Sequence, residues 1–492
     1  MKQPDWTSLK TILIAALVVR VIAAIFSQGY GMHDDHFLVI EAAASWSDGY
    51  DYNHWLPWST GSTGQPEGHS FTYVGINYFY FVIAKFFGIA DPKLLMFFNR
   101  LVHGIFSLLI VYLSYRITEK IATKKAAQTI GWILALLWLL PYLSVRNLVE
   151  IACIPFILGS VWLAVKYDSK KYLLTAGMLM GMAVSFRYQV GVFAVGMAAV
   201  YFFKKEWKSF FNYSGGVLIV FIITQGIVDM LIWGYPFAEF IAYFTYNSNE
   251  GTAYIPNNNI AIYMLVLGGI FGLPLGVILI LGFFKSYKKY VLIFVPVLLF
   301  ILFHSFYPSK QERFIMPVFP LFLVLGVVGV LPLLEKLSWK KWWNASLKIF
   351  WILNIPILIA ATFAYTKKSR VEAMYYFYET SQKPRKLLLE ASGETDVSML
   401  PKFYCGKWRY GVLEHKKDTP LLTVFPGYEY DFIVFFGEEN LKNRVDEYRT
   451  IYPKMELGKV CEPGFVDLFL RWLNPRNSNE YIEVWKTNEI AR

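Results

Sequence analysis

Long apolar runs separated by short polar connections fill the first three-quarters of the chain. An apolar run of about 20 residues is long enough to cross a bilayer as an α-helix. These runs lie at residues 9–27, 98–115, 126–143, 148–165, 172–186, 190–203, 210–232, 260–284, 291–305, 314–334 and 346–365. The pattern predicts a polytopic α-helical membrane protein with about 11 transmembrane helices.

Lysine and arginine cluster in the short connections between the runs. The five basic clusters lie at residues 116–125, 166–171, 204–208, 285–289 and 335–341. The positive-inside rule predicts that these connections, and with them the N-terminus, are cytoplasmic. All five connections fall on the same side only if residues 71–88 do not cross the membrane. These residues are rich in Tyr and Phe, and we expect them to form an interfacial or re-entrant helix. The net charge of +11 then reflects membrane topology, and we expect no nucleic-acid partner.

The composition of the chain changes after Tyr365. Residues 366–492 are polar enough for a soluble domain, yet they contain two strand-like runs with a helical run between them. In chain order these runs lie at residues 431–436, 438–452 and 481–485. We therefore expect residues 1–365 to form a transmembrane catalytic domain and residues 366–492 to form a small extracytoplasmic α/β domain.

The first predicted outward connection, residues 28–97, carries two adjacent carboxylates, Asp34 and Asp35, at the membrane boundary. Ionisable groups so close to a bilayer are costly unless they have a function. Charge repulsion and partial burial would raise the pKa of one of them. A carboxylate tuned in this way can take a proton from an acceptor hydroxyl. The sequence therefore predicts an extracytoplasmic catalytic loop, with interfacial helices, around this pair.

Two other interpretations of the aspartate pair stay open at this stage. One aspartate could cap the helix that begins at His36. Alternatively, the pair could hold a metal ion together with His33 and His36, although this arrangement has no settled ligand spacing. We expect no cofactor, and the sequence leaves a divalent metal open.

Three cations, Arg187, Lys310 and Arg313, lie in connections predicted to face outward. Positive charges on this face run against the positive-inside rule, and an anionic partner would explain them. Phosphate suits both the lysine and the bidentate arginines. An ion pair between Arg313 and Glu312, or snorkelling to the interface, is the structural alternative.

Further polar residues are candidates for supporting the site from behind. The supporting candidates are His36, Glu41, Arg100, Glu150 and Glu312. A solvated helix face would explain Glu41 and Glu150 equally well, and snorkelling at a span end would explain Arg100. Aromatic residues in the first outward loop could stack on a sugar or form an interfacial belt. They are Trp46, Tyr50, Tyr52, Trp55 and Trp58.

The chain lacks the sequence motifs of nucleotide-driven proteins. It contains no P-loop, dinucleotide fingerprint or Gly-x-Ser-x-Gly elbow, which argues against a nucleotide-driven pump. A nucleotide-sugar donor arriving from the cytoplasm is disfavoured by an outward-facing site. A transporter should show two related halves with broken helices, and the sequence shows no such internal symmetry.

Several short motifs follow one another in a fixed order between residues 9 and 334. They are Met32-His33-Asp34-Asp35-His36-Phe37, Glu41, Gly49-Tyr50-Asp51-Tyr52, Asn99-Arg100-Leu101, Asn147 with Glu150, Phe186-Arg187, and Ser309-Lys310-Gln311-Glu312-Arg313-Phe314. This ordered set resembles the GT-C superfamily of polytopic glycosyltransferases, specifically the Alg9/PIG-B-like mannosyltransferases of glycosyltransferase family 22. Asp34 and Asp35 match the acidic pair of the family's His-Pro-Asp-Glu-x-Phe motif. The late motif matches His-Lys-Glu-x-Arg-Phe, with Ser309 in place of His.

The resemblance implies inverting transfer of a hexose, usually mannose, from a polyprenyl-phosphate donor to an acceptor hydroxyl outside the cytoplasm. In this interpretation Asp34 is the base, and Asp35 orients it or substitutes for it. Lys310, Arg313 and Arg187 neutralise the leaving phosphate. The acceptor is a glycan, glycolipid or protein. The alternatives are a protein O-mannosyltransferase, a lipid A aminoarabinose-type transferase or, outside the superfamily, a lipid-linked-sugar transporter.

Cys405 and Cys461 both lie in the domain that is expected outside the cytoplasm, where disulfides form. They could form a bridge, or they could be two buried thiols. The glycosylation sequons at Asn212 and Asn344 both fall on the predicted cytoplasmic side. Their placement favours a bacterial inner membrane over the endoplasmic reticulum.

Overall fold

The computed structural model describes residues 5–167, 170–249, 259–380, 382–393, 399–417, 429–474 and 480–487. The chain folds as two compact units. The first comprises Met1–Ala24, His54–Ile76 and Arg100–Thr362, and the second comprises Ile25–Asn53, Asn77–Asn99 and Phe363–Arg492.

Helices make up most of the described chain. Up to residue 166 they are α1 (Leu9–Phe26), α2 (Ala42–Ser47), α3 (Phe71–Phe86), α4 (Pro92–Phe106), α5 (Leu108–Ile121), α6 (Lys124–Leu136), α7 (Leu139–Ser144), α8 (Val149–Ala152) and α9 (Ile154–Lys166). They continue as α10 (Lys170–Phe186), α11 (Gly191–Phe203), α12 (Trp207–Phe221), α13 (Val228–Trp233), α14 (Ala238–Asn249), α15 (Ile262–Gly269), α16 (Leu275–Lys285), α17 (Val291–Phe306), α18 (Phe319–Val330) and α19 (Leu337–Thr362). The last are α20 (Lys368–Glu379), α21 (Leu441–Arg449) and α22 (Phe465–Leu473).

Among the residues that the structure describes, six helical segments are long and apolar enough to cross a membrane. They are Leu9–Phe26, Pro92–Ile121, Val149–Lys166, Trp207–Trp233, Glu312–Glu335 and Leu337–Thr362. Four shorter apolar helices accompany them: Lys171–Phe186, Tyr188–Phe203, Leu275–Lys285 and Val291–Phe306. The predicted polytopic helical architecture is confirmed, whereas the number of crossings stays a prediction.

The continuous span predicted at residues 260–284 is wrong. The structure divides this run into α15 and α16, because Gly272 adopts a left-handed φ of +67° and Pro274 cannot donate the next helical hydrogen bond. The two short helices pack closely, since a Cβ on Gly276 would lie 2.0 Å from the carbonyl oxygen of Gly268. The apolar run is therefore a helical hairpin-like pair and not one rod.

Close backbone contact also joins α10 and α12 in the first unit. A Cβ on Gly177 would lie 2.0 Å from the carbonyl oxygen of Tyr213, and one on Gly216 would lie 2.2 Å from that of Leu174. Membrane helices associate through such small residues, because lipid supplies no hydrophobic drive between helices. This contact holds α10, and therefore Arg187 at its end, in a fixed position.

The second unit contains a five-stranded mixed sheet. Its strands are β1 (Lys386–Ala391), β2 (Gly411–Lys416), β3 (Phe432–Phe436), β4 (Glu456–Cys461) and β5 (Ile482–Lys486), in the order β2-β1-β3-β5-β4. β1 pairs in parallel with β2 and β3, while β5 is antiparallel to β3 and β4. The core beneath the sheet includes Leu388, Ile433, Phe435, Tyr448 and Trp485. The predicted C-terminal sheet domain is confirmed, with β3, β5 and α21 where the sequence indicated strands and a helix.

In the second unit, the segment after α1 lies against the segment after α19. The backbone N–H of Thr366 donates to the carbonyl oxygen of Gln28 over 3.1 Å, and Gly29 forms an isolated parallel bridge with Thr366. Gly29 has a φ of +79°, and a Cβ there would lie 1.8 Å from the carbonyl oxygen of Thr366. The segments that follow α1 and α19 therefore lie side by side.

All three cysteines are free and buried. Cys461 ends β4, whereas Cys405 ends a 3₁₀ turn at Lys402–Cys405. Burial raises the pKa of the Cys405 thiol to about 11 and that of Cys461 to about 12. The structure thus adopts the buried-thiol alternative, and these thiols are poor nucleophiles at neutral pH.

We expect three labelled thiols when the unfolded protein reacts with a maleimide without prior reduction, because the chain holds three free cysteines. Mass spectrometry of the labelled chain before and after reduction measures this number. A single labelled thiol that increases to three on reduction would contradict the structure and restore the Cys405–Cys461 bridge.

Candidate active site

Asp34 and Asp35 have different surroundings, although they are neighbours in the second unit. The Asp34 side chain is 54% exposed and lies 3.8 Å from Nδ1 of His33, whereas Asp35 is buried. Asp34 has helical backbone angles and makes no capping hydrogen bond, so the capping interpretation is wrong for this residue. Of the two carboxylates, Asp34 is therefore the one accessible to solvent.

A π-helical turn, Asp35–Glu41, follows directly. Wide turns of this kind are rare and frequent at functional sites. Within it the buried His36 ring stacks between Tyr30 and Tyr404, with ring centroids 4.6 and 5.8 Å away. The turn is therefore held rigidly by aromatic packing on both sides of one histidine.

Glu41 ends this turn and is fully buried. Its Oε1 lies 3.4 Å from Nε2 of His36 and accepts the backbone N–H of Phe403 over 3.0 Å. Phe403 comes from the C-terminal part of the chain, so this part of the second unit supports the aspartate turn from behind. These are structural contacts, and the supporting role of Glu41 and His36 in catalysis stays a prediction.

In the first unit, two arginines converge on one buried carboxylate. Nη1 of Arg187 lies 2.7 Å from Oε1 of Glu150, and Nε of Arg313 lies 3.6 Å from the same oxygen. Both guanidinium groups also lie over the ring of Phe314, at 4.9 and 5.6 Å. The structure thus brings together three sequence-predicted residues that are far apart in the chain.

The local backbone explains how Arg187 reaches this cluster. Arg187 adopts an extended conformation with φ −145° between α10 and a short 3₁₀ turn at Tyr188–Val190, which turns its side chain out of the helical path. Nε and Nη2 of Arg187 are buried and make no hydrogen bond among the described residues. Buried N–H donors of this kind are costly, and an anion would satisfy them.

Lys310 is also buried, at 7% exposure, directly before the turn that carries Arg313. Burial of these side chains argues against simple snorkelling, in which the charged head stays in water. Arg187 and Arg313 thus set two cations against the one carboxylate of Glu150 that they share. This positive excess fits a phosphate better than a neutral sugar. Glu312, by contrast, is exposed at the start of the same turn.

Arg100 and the aromatic candidates have mainly structural contacts. Nε of Arg100 donates to the carbonyl oxygen of Ala24 over 2.8 Å, which fastens α4 to α1 inside the first unit. Trp55 is buried, so it is not available to stack on a sugar. Trp58 is exposed, and it remains a candidate for that role.

Glu239, which sequence reasoning missed, is fully buried at the start of α14. Its Oε1 accepts the indole N–H groups of Trp55 and Trp233, each over 3.0 Å. Its Oε2 accepts the backbone N–H groups of Gly68 and His69 over 2.7 and 3.0 Å. One carboxylate thus fastens both ends of the segment 55–69. No sequence signal could have found this contact, because Trp55 and Glu239 lie 184 residues apart and no spacing rule connects them.

We expect the thermal stability of the protein to depend on Glu239 between pH 4.5 and 7. Burial raises its pKa from the ordinary 4.5 to about 7, although its hydrogen bonds oppose the rise. In this window the folded chain binds a proton more tightly than the unfolded chain, so this contribution to stability falls as pH rises. Glu239→Gln should lack this slope, as unfolding midpoints in detergent at several pH values will show.

The exposed Glu206 provides the matched control, since Glu206→Gln should leave the slope intact. Parallel pH profiles for the wild type and Glu239→Gln would contradict the assignment.

No group of three or more His, Cys, Asp or Glu side chains that could hold a metal ion occurs among the residues that the structure describes. His33 and His36 differ in their surroundings, since His36 is enclosed by rings and His33 is exposed. A divalent metal therefore has no assigned ligands here.

The fold is similar to that of the GT-C enzyme ArnT from Cupriavidus metallidurans. The apo crystal structure of ArnT matches with a TM-score of 0.58 at 11% identity, covering 97% of both chains. The ArnT structure bound to undecaprenyl phosphate matches with a TM-score of 0.59 at the same identity and coverage. The Archaeoglobus fulgidus oligosaccharyltransferase, in complex with zinc and sulfate, matches with a TM-score of 0.48 at 10% identity, covering 86% of this chain and 68% of that one.

The fold and the apolar helices define an integral membrane protein of the GT-C class. The chain belongs to the Alg9-like mannosyltransferase family, whose family model matches residues 11–404. No curated protein matches the chain. The resemblance that the ordered motifs indicated is confirmed, and family and fold together indicate a glycosyltransferase.

Proposed function

We propose that the protein transfers mannose, a hexose, from a polyprenyl-phosphate-linked donor to an acceptor hydroxyl. Transfer would take place at the extracytoplasmic face and would invert the anomeric configuration of the sugar. The main support for this proposal is the convergence of Arg187 and Arg313 on the buried carboxylate of Glu150. A third cation, the buried Lys310, comes three residues before Arg313 in the chain. The ArnT structure bound to undecaprenyl phosphate supports a lipid phosphate as its ligand. The mannosyl group is supported by the description of the family.

The cluster has the chemistry that the departing phosphate needs. When the bond between the anomeric carbon and the phosphate oxygen breaks, the oxygen keeps both electrons and the phosphodiester becomes a phosphomonoester with one more negative charge. Preorganised cations aimed at such developing charge lower the barrier. Arg187, with N–H donors on Nε and Nη2 that make no hydrogen bond among the described residues, is our first choice for this contact.

Asp34 is our choice for the base. The acceptor hydroxyl must lose its proton as its oxygen forms the new bond to the anomeric carbon, and an exposed carboxylate can accept that proton. Attack opposite the leaving phosphate inverts the anomeric configuration. Asp35, buried beside it, would orient Asp34 or replace it, while Glu41 and His36 hold the turn that carries both.

A donor panel tests this function. The purified protein in vesicles should transfer label from polyprenyl-phosphate mannose at least tenfold faster than from nucleotide-linked mannose, because the cation cluster is proposed to bind a lipid phosphate. Polyprenyl-phosphate aminoarabinose tests the aminoarabinose-type alternative. Equal or faster use of nucleotide-linked mannose would overturn the lipid-phosphate donor, and equal or faster use of the aminoarabinose donor would replace the mannosyl proposal.

We further propose that the N-terminus is cytoplasmic, that the C-terminal domain is extracytoplasmic, and that the protein resides in a bacterial inner membrane. A topology reporter fused after Lys124 should then read as cytoplasmic, and one fused after Lys367 as outside, as the basic connections imply. Phosphatase and fluorescent-protein fusions measure the two sides. An outside signal at Lys124 would mean that α3 crosses the membrane.

A further inference from the structure

Helix α22, near the C-terminus, exposes nearly all of its large apolar side chains. None of its nine residues, all of which the structure describes, is buried. Trp472 is the most exposed, at 75%. The exposed apolar residues are Phe465, Leu468, Phe469, Leu470, Trp472 and Leu473. So dense an apolar patch on one short helix marks a contact with an apolar medium or partner.

The polar residues of α22 point the other way. Asp467 accepts the backbone N–H of Gly464 over 3.3 Å, and Arg471 donates to Oε1 of Glu439 over 3.2 Å. Both side chains are less exposed than their apolar neighbours. In water an amphipathic helix turns its apolar face to the protein and its charges outward. Here the arrangement is inverted, which requires an apolar environment on the outer side.

The start of α22 lies against the chain segment that follows a candidate span. A Cβ on Gly464 would lie 2.2 Å from the carbonyl oxygen of Tyr365, and Tyr365 is three residues beyond the end of the apolar helix α19. The next residue, Thr366, is hydrogen-bonded to Gln28, which follows α1. Helix α22 therefore begins beside the segments that directly follow two candidate spans.

A second apolar feature lies next to these segments. Phe26 and Phe363, at the ends of the two candidate spans, contact each other with ring centroids 5.1 Å apart, and each is almost half exposed. Exposed aromatic residues at span ends are typical of the lipid interface. A bilayer that covers these two phenylalanines would also provide an apolar medium for the exposed face of α22.

We propose that α22 is an interfacial helix whose outer face inserts into the lipid surface and fastens the C-terminal domain to the bilayer. Tryptophan, phenylalanine and leucine on one face are the residues with which interfacial helices enter the boundary between headgroups and acyl chains. The partner of this apolar face is therefore the bilayer surface. The inference does not depend on the donor, the acceptor or the catalytic roles proposed above.

Site-specific labelling of the full-length protein in lipid vesicles tests this placement. A cysteine introduced as Phe469→Cys carries an environment-sensitive fluorophore, because position 469 is exposed whereas the three native cysteines are buried. Lys442→Cys on the polar, exposed face of α21 is the matched control. Vesicles made with lipids brominated near the headgroup should quench the label at 469 about twofold and leave the label at 442 unchanged.

Two further results decide the inference. The double change Leu468→Glu and Trp472→Glu, at positions that support no core, should reduce quenching at 469 to the level of the control. Absence of bromolipid quenching at 469 would overturn the proposal. Blue-shifted emission without quenching would also overturn it, since a protein partner or a second copy of the chain would then cover the helix.

Discussion

Replacing Asp34 by asparagine should lower the rate of sugar transfer by about 10²–10⁴-fold, the range expected for loss of a general base. The change is nearly isosteric and removes only the ability to accept a proton. Because the Asp34 side chain is 54% exposed and supports no core, the protein should still fold. Single-turnover transfer from labelled donor, at saturating acceptor, measures the effect on the chemical step.

Two comparisons make the Asp34 result specific. Asp35→Asn should be damaging but less so, since Asp35 is buried and is proposed to orient its neighbour. Asp5→Asn, at an exposed N-terminal aspartate, should leave the rate unchanged. Near-normal transfer by both Asp34→Asn and Asp35→Asn would remove these residues from the catalytic role.

Replacing Arg187 by glutamine should reduce kcat/KM for the donor by about 10–100-fold, because a charge-assisted hydrogen bond contributes about 1.5–3 kcal/mol. The KM for the acceptor should change little, since the contact is proposed to be with the donor phosphate. Arg187→Lys should lose less, because it keeps the charge but not the planar bidentate donor. Initial rates with donor and acceptor varied separately make this distinction.

The control for Arg187 is an arginine in an ion pair away from the cluster. Arg116 lies 2.7 Å from Glu119, and Arg116→Gln should leave both kinetic constants unchanged. A purely structural role for Arg187 would lower thermal stability and affect donor and acceptor kinetics equally. That result would reduce the Glu150 cluster to an internal ion pair.

The membrane fold and most of the proposed site were visible in the sequence for simple reasons. Apolar runs near the thickness of a bilayer predict spans directly. Asp34 and Arg187 could be singled out because charges near a membrane are energetically costly. A charged residue at such a position therefore indicates a functional contact. The order of the motifs then indicated the family, although each motif alone is short.

Other features depend on contacts that no local pattern encodes. The helix break near Gly272 depends on the backbone conformation. The apolar residues on both sides of it make the sequence look like one continuous span. Glu41 reaches Phe403 over 362 residues of sequence, and Glu239 reaches Trp55 over 184, so neither contact leaves a spacing signal. The inverted polarity of α22 could not be found either, because apolar residues in a polar domain usually indicate its core.

The most direct test of the central claim is stoichiometric transfer by the purified protein in sealed vesicles. The donor is a polyprenyl phosphate carrying a labelled mannose, and the label is followed together with the lipid. We expect one free polyprenyl phosphate for each mannose joined to the acceptor, with inverted anomeric configuration in the product and no such reaction by Asp34→Asn. Movement of the intact labelled lipid across the bilayer, without release of polyprenyl phosphate, would contradict the account and identify a transporter instead.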